Sequence, residues 1–302
     1  MTITIRPTTI IEMPRLAASL GLAALTLASE AFQWTGSFKF RAALEVAANV
    51  EPELMIAASS GNFGQALAYA CALLGKRSII VMPNTSAAVK VLSVAEYGGV
   101  VDLIDVGAIS RSARVVQLAA EHPGAYVASA YDDPLVIRGN SSLGREIAAL
   151  TEPPDLVVAP VGGGGLTAGL VQGLRAGGSP IEVVGAEPLL ANDAARSLRA
   201  GALIANGAEP QTIADGARTL SLGRHNWAIL KDGLASIVEV PEERIAEAVR
   251  TLFSAANMKA EPTGALSLGA VLHTPRLFAD KRVCCVISGG NVDPAVYARL
   301  IS

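Results

Sequence analysis

The stretch Trp34-Thr35-Gly36-Ser37-Phe38-Lys39-Phe40-Arg41-Ala42 holds a lysine with no evident structural reason to be there. Residues 38–48 read as a helix, with Phe40, Ala43, Leu44, Val46 and Ala47 supplying an apolar stripe. Thr35-Gly36-Ser37 is turn and cap chemistry, since a Ser or Thr oxygen can accept from the orphan N–H groups of a first turn. Lys39 then falls in that first turn, where the helix dipole disfavours a cation. Taken alone, it reads as a solvated lysine. The other chemistry open to it is that of a nucleophile or base, which requires the ammonium form to be destabilised.

Three Gly- or Ser-rich loops change that balance. Each follows an apolar strand, and in an open α/β sheet such loops gather at the carboxyl edge, where ligands bind. In Val161-Gly162-Gly163-Gly164-Gly165-Leu166-Thr167 four glycines let backbone N–H groups converge on an anion at a helix start, and phosphate is the natural guest. Ser59-Ser60-Gly61-Asn62 offers two hydroxyls and an amide, a set suited to a carboxylate and a phenolic oxygen. Ser288-Gly289-Gly290-Asn291 brings a hydroxyl to the edge of the last strand. Each short motif also reads as a plain turn. A rival takes 162–167 with Glu187 as a dinucleotide fingerprint, but GGGGLT lacks the third glycine of GxGxxG and leaves Lys39 idle. A phosphate cradle, a carboxylate cradle and a displaced lysine together point to pyridoxal phosphate, which needs a phosphate site and a Schiff-base lysine.

The elements that must position these groups alternate along the chain. A short helix (16–20) and a buried strand (22–28) precede the Lys39 helix. Strands at 54–58, 78–82, 100–104 and 125–129 are separated by helices at 66–74, 87–97 and 112–121. A second series runs through helix 143–150, strand 155–160, helix 166–176, strand 181–186, helix 192–200 and strand 236–240. It ends with helices 242–256 and 264–272 and strand 283–287. Such alternation with short loops argues for an α/β fold of open, mostly parallel sheets flanked by helices. The two series alone put a boundary near residue 131.

Composition bounds the partners. The chain has 302 residues, 51% hydrophobic and 17% charged, which is ample for a sizeable core. A net charge of -3 gives no reason to expect nucleic acid or an anionic membrane, so an anionic ligand must be held locally. Cys71, Cys284 and Cys285 lack metal-ligand spacing and read as core residues of a reducing compartment. His122, His225 and His273 are scattered. Arg15 and the apolar run after it imitate a leader, but Pro14 and a turn at Gly21 favour helix and strand, and no run reaches membrane-span length. The cytoplasm is the expected location.

The chain resembles the fold type II pyridoxal-phosphate enzymes, of tryptophan synthase β-like architecture, and specifically the group of serine racemases and threonine (serine) dehydratases. The matching segments are TGSFKFRAA (35–43), SSGNFGQALAYA (59–70), PVGGGGLTAGL (160–170), GAEPLLANDA (185–194), TIADG (212–216), EPTGA (261–265) and CVISGGNVD (285–293). The resemblance implies a large cofactor-binding domain of 1–47 and 133–302 with a small domain, 48–132, inserted. It implies Lys39 as the Schiff-base lysine and the base at Cα, Phe38 against the cofactor ring and Asn62 at its phenolic oxygen. Gly162, Gly163, Gly164 and Gly165 would hold the phosphate, and Ser288 would meet the pyridine nitrogen. Ser59, Ser60 and Asn62 would hold the substrate carboxylate. Glu187, the Ala191 carbonyl and Asp193 resemble the family's divalent-metal site, whose hard oxygens suit Mg²⁺, Ca²⁺ or Mn²⁺, although an ordinary acidic loop reads the same way. A homodimer is also implied.

Some residues depart from the family pattern. Phe63 stands where a histidine is usual, Gly139-Asn140-Ser141-Ser142 replaces Gly-Gln-Gly-Thr, and Ser129-Ala130-Tyr131-Asp132 replaces a His/Asn-Pro-Phe/Tyr-Asp start. Ser60 is the position from which serine racemase acts on the face away from the lysine. The expected activity is elimination from a β-hydroxy amino acid such as L-serine or L-threonine, giving a 2-oxo acid and ammonia. Racemisation by Lys39 and Ser60, and β-replacement by an added nucleophile, stay open. So do a non-catalytic binding protein and a nicotinamide enzyme.

Overall fold

The structure is a computed structural model that describes residues 4–86 and 88–302. Strand β1 (Thr9–Glu12) leads into helix α1 (Pro14–Leu20), which Gly21 ends at φ 69°. Strand β2 (Ala24–Ser29) follows, so the leader-like run is a helix and an inner strand. Helix α2 (Lys39–Asn49) then enters a four-stranded parallel sheet with its helices. These are β3 (Leu54–Ala58), α3 (Asn62–Leu73), β4 (Arg77–Pro83), α4 (Ala88–Glu96), β5 (Val100–Ile104), α5 (Arg111–Glu121) and β6 (Tyr126–Val127), in sheet order β5-β4-β3-β6. The expected start of helix 87–97 at Ala87 lies outside the described residues.

Helix α6 (Pro134–Ala148) returns the chain to the first sheet. The elements after it are β7 (Leu156–Pro160), α7 (Gly165–Ala176), β8 (Glu182–Pro188), α8 (Asp193–Ala200), α9 (Arg224–Leu230), β9 (Ser236–Val240), α10 (Glu242–Ala256), α11 (Pro262–His273), β10 (Arg282–Ile287) and α12 (Pro294–Ile301). The six-stranded order is β1-β2-β10-β7-β8-β9, parallel except for β1 against β2. A simple cut at residue 131 is therefore wrong, because β1 and β2 pair into the later sheet. Apolar alternation in the early strands could not report a partner more than 250 residues away.

Both sheets are covered on each face. Along β10, Val283, Cys285 and Ile287 pack toward α10 and α11, while Cys284 and Val286 pack toward α6 and α7. The adjacent cysteines thus face opposite layers as free, buried thiols. Helices α6 and α7 cross at backbone contact. A Cβ at Gly169 would meet the Ile137 carbonyl at 2.7 Å, and Cβ atoms at Gly144 and Gly173 would overlap the facing backbone. Helix α6 begins nine residues before the expected start, with Asp133 accepting from the Leu135 N–H at 2.7 Å and Pro134 at its first position. Its Gly-Asn-Ser-Ser segment is poor in helix propensity, and burial of Gly139, Asn140 and Ser141 overrides that. No helix among the described residues is long and apolar enough to cross a membrane.

Helix α2 packs on both α3 and α6, and its first turn carries a buried ion network. Arg41, fully buried, donates to Glu30 Oε2 at 2.7 Å and Oε1 at 2.9 Å, to Glu146 Oε1 at 2.6 Å, to Ser142 Oγ at 2.8 Å and to Thr8 Oγ1 at 2.7 Å. Burial would pull its guanidinium down, but the two carboxylates outweigh that and hold it above its ordinary range. Removing one partner of such a pair leaves a bare buried charge. Arg41→Met is therefore expected to cost about 3–5 kcal/mol of stability, read from urea unfolding of the cofactor-free protein. Arg41→Lys recovers only part, because an ammonium cannot reproduce the forked donors.

Candidate active site

Lys39 is the first residue of α2, and its Nζ donates to the Ala130 carbonyl at 2.6 Å. Phenyl rings flank the amine, with Phe38 at 5.0 Å and Phe63 at 5.7 Å from Nζ to ring centroid. The expected cap is absent. Phe38 occupies the cap position without a side-chain bond, and the buried hydroxyls of Thr35 and Ser37 have no partner. Ser37 is instead extended and bridges Gly289, while the Phe38 N–H donates to the Ser288 carbonyl at 3.0 Å. Thr35 sits at φ 59°, a strained conformation for a β-branched residue, and its carbonyl accepts from Asn291 at 2.7 Å. The SGGN loop and the Lys39 stretch are thus bound edge to edge.

The glycine loop lies one residue along from the Lys39 acceptor. Tyr131 follows Ala130, and its ring fills the space a Cβ on Gly163 would need. A Cβ on Gly165 would meet the Tyr131 carbonyl at 2.7 Å. Gly164 holds φ 90° as the cap of α7. Among the described residues, the N–H groups of Gly162, Gly163 and Gly164 donate to no protein acceptor. Free N–H groups at a helix start, walled where side chains would intrude, fit a phosphate. With an amine beside them, the residues fit pyridoxal phosphate.

Asn62 opens α3. Its Nδ2 donates to Glu261 Oε1 at 2.7 Å and its Oδ1 accepts from Asn291 at 2.8 Å, which leaves one N–H free for a ligand. Ser59 Oγ accepts from the N–H groups of Gly64 (3.1 Å) and Gly61 (3.4 Å), so it braces the turn and keeps only its own O–H to give. The Ser60 hydroxyl is half-buried with no hydrogen bond among the described residues. Asn140, one of the departures from the family pattern, is fully buried behind the glycine loop and donates to the Gly165 carbonyl at 3.1 Å.

Glu261 was missed by the sequence reading. It lies within EPTGA ahead of α11, 4% exposed, and a carboxylate there carries no local signal beyond its place in that segment. Burial pushes its carboxyl up to about 8, helped by Asp215 and opposed by Asn62, Lys90 and Lys39. Burial likewise lowers the Lys39 amine to about 8, and Glu261 opposes that fall. Both effects favour the neutral pair.

Glu187 at the end of β8, Ala191 just ahead of α8 and Asp193 at the start of α8 are all buried. The Glu187 carboxylate accepts from the Ala194 and Ala195 N–H groups, each at 2.9 Å. Asp193 Oδ1 accepts from Asn206 at 2.8 Å, and its Oδ2 is buried without a partner. Burial raises Glu187 to about 8 and Asp193 to about 6. Among the described residues no group of three His, Cys, Asp or Glu is placed to hold a metal ion. A cleft of about 450 Å³ bounded by Phe253, Asn257, Lys259 and Tyr297 includes none of the residues assembled around Lys39.

The model of the family "pyridoxal-phosphate dependent enzyme" matches residues 1–289. The chain is 34% identical to L-threo-3-hydroxyaspartate ammonia-lyase of a Pseudomonas species, over 90% of this chain and 86% of that one. It is 35% identical to serine racemase of Mus musculus, over 87% and 80% of the two chains. The crystal structure of a T.th. threonine deaminase superposes with a TM-score of 0.89 at 40% identity, covering 96% of this chain and 94% of that one.

In the cofactor-free protein, an amine-reactive acylating reagent should modify Lys39 with a midpoint near pH 8, followed by peptide mass spectrometry. The neutral amine reacts, so modification rises with pH through that value. Glu261→Gln removes the charge that favours the ammonium and should move the midpoint lower. A midpoint at the ordinary 10.5 would refute the desolvated amine.

Proposed function

The chain belongs to the pyridoxal-phosphate dependent enzymes, and on that premise we propose that it is an ammonia-lyase eliminating the β-hydroxyl of a hydroxy amino acid such as L-serine or L-threonine. The observation that supports this best is the desolvated Lys39 amine, whose acceptor Ala130 directly precedes the Tyr131 that walls the glycine loop, together with the free N–H groups of that loop. Pyridoxal phosphate, when bound, supplies a carbonyl that captures the substrate amine and a ring that accepts electron density from Cα. Gly162 to Gly165 would hold its phosphate, Phe38 would pack on the ring, and the remaining Asn62 N–H would reach its phenolic oxygen. Ser288 would offer the pyridine nitrogen a hydroxyl, which unlike a carboxylate would not force a proton onto it. That favours prompt loss of a β-leaving group over build-up of charge at Cα. Lys39 in its neutral form takes the Cα proton. Ser59 and Ser60 give their O–H groups to the substrate carboxylate, with Asn62 beside them. The released enamine hydrolyses to the 2-oxo acid and ammonia without further help.

A second reading, racemisation, is favoured by one observation. The Ser60 hydroxyl is not engaged by the protein, whereas Ser59 is, so Ser60 is free to deliver a proton to the face away from Lys39. Serine racemases are also among the relatives. We further propose that Glu187, the Ala191 carbonyl and Asp193 hold Mg²⁺, Ca²⁺ or Mn²⁺ as a structural or activating ion, supported by the partnerless Asp193 Oδ2. Residues 1–47 with 133–302 are taken as the large domain and 48–132 as the small one. The resemblance supports a cytoplasmic homodimer.

Assay of the holoenzyme with L-serine, L-threonine and L-threo-3-hydroxyaspartate should yield a 2-oxo acid from at least one of them. Lys39→Ala should lower kcat by about 10²–10⁴-fold or more. Ser60→Ala should suppress isomerisation far more than elimination. No 2-oxo acid from any β-hydroxy or β-substituted amino acid would overturn the lyase reading. Exhaustive chelation should lower the melting temperature, and an unchanged melt would remove the metal.

A further inference from the structure

Two asparagines outside the cofactor site grip the glycine loop from behind. Asn226 on α9 is fully buried, and its Nδ2 donates to the carbonyls of Gly163 at 2.6 Å and Tyr131 at 3.0 Å. Asn140 on α6 is likewise fully buried and donates to the Gly165 carbonyl. In both, Oδ1 is buried and has no partner. The amide orientation is dictated by the acceptors, since the opposite one would set oxygen against carbonyl oxygen. Burying an unpaired acceptor twice is unfavourable, and an apolar side chain would fill either space without that loss. What only an amide provides here is the donor.

The effect on the loop follows from peptide planarity. The Gly163 carbonyl and the Gly164 N–H belong to one trans peptide and point to opposite sides. Asn226, with the Gly223 N–H at 3.0 Å, draws that oxygen toward α9 and so turns the Gly164 N–H the other way, where it has no protein acceptor. Asn140 adds a second donor to a carbonyl of the first turn of α7 and fastens that turn to α6. Both supports are themselves fixed. Asp132 accepts from the Arg224 (3.0 Å) and His225 (2.9 Å) N–H groups at the start of α9, and α6 touches α7 through their glycines.

We propose that Asn140 and Asn226 are positioning residues that hold the loop 162–165 in its anion-binding conformation before the ligand arrives. The premise that the anion is the phosphate of pyridoxal phosphate rests on the proposed function. A loop oriented in advance spends no binding energy on ordering itself.

The test compares pyridoxal phosphate with pyridoxal, which lacks the phosphate, by absorbance titration of the cofactor-free protein. Asn226→Asp exchanges donors for acceptors at constant shape and should weaken pyridoxal phosphate about tenfold or more, while pyridoxal affinity stays unchanged. Inorganic phosphate should compete correspondingly less well. Asn140→Ala should give a smaller loss in the same direction, since Gly165 lies within the regular turn of α7. Asn226→Ser, too short to reach either carbonyl, repeats the test should the aspartate variant fail to fold, as checked by the melt of the cofactor-free form. Equal weakening of both ligands, or unchanged pyridoxal phosphate affinity in a folded Asn226 variant, overturns the clamp. A wild-type protein that binds pyridoxal phosphate but makes no 2-oxo acid refutes the lyase reading and leaves the clamp standing. Failure of the wild type to bind it sinks both.

Discussion

The first turn of α2 depends on one buried cation. Arg41 lies two residues past Lys39, and at about 100° per residue that places the two side chains on opposing sides of the helix. One looks back into Glu30, Glu146, Thr8 and Ser142, while the other looks forward to Ala130. Glu30 directly follows β2 and Glu146 lies on α6, so the guanidinium ties the helix to both. A lysine offers a long, flexible chain, and its amine can be aimed only if its backbone cannot roll. The forked, permanently charged Arg41 prevents that roll, and a single hydrogen bond could not.

In front of that anchor the chemistry is governed by exclusion of water. Burial lowers the Lys39 amine and raises the Glu261 carboxyl, each to about 8, and each partner opposes the other's shift. The chain from Glu261 through Asn62 and Asn291 to the Thr35 carbonyl links four loops carried by both sheets. It explains why Thr35 can be held in a left-handed conformation. A carbonyl turned outward there is the acceptor that Asn291 needs.

Much of this was legible in the residues. The three loops, their strands and the odd position of Lys39 follow from glycine and serine chemistry at the ends of apolar runs, which is a local signal. What escaped was decided by tertiary contact. The start of α6 hides behind Gly139-Asn140-Ser141-Ser142, a segment helical only because it is packed. Strand β1 and helices α9 and α12 are short, and the caps of the last two differ. Asp293 caps α12 from the position just before it, whereas the cap of α9 arrives from Asp132, some ninety residues earlier. Ser37 read as a helix cap, but its backbone is committed to Gly289, a partner no window of sequence contains. Glu261 and Asn226 carry no motif of their own. Their importance comes from which carbonyl or amide lies opposite, and only the fold supplies that.

The departures from the family pattern then separate by location. Asn140 donates to the Gly165 carbonyl and lies behind the loop. Tyr131 walls the glycine run and Asp132 caps the start of α9, so both lie against the same loop. Phe63 is different, because its ring is among the groups that desolvate the Lys39 amine, and an imidazole in its place would add a donor or a charge there. An apolar ring there adds to the burial that lowers the amine to about 8 and brings no donor or charge of its own. Ser60, with a free hydroxyl close to the same turn, is the complementary polar element. The glycine loop and the first turn of α2 are thus fixed from behind by asparagine and arginine, while the segment from Ser60 to Phe63 supplies a free hydroxyl and the apolar ring beside the amine.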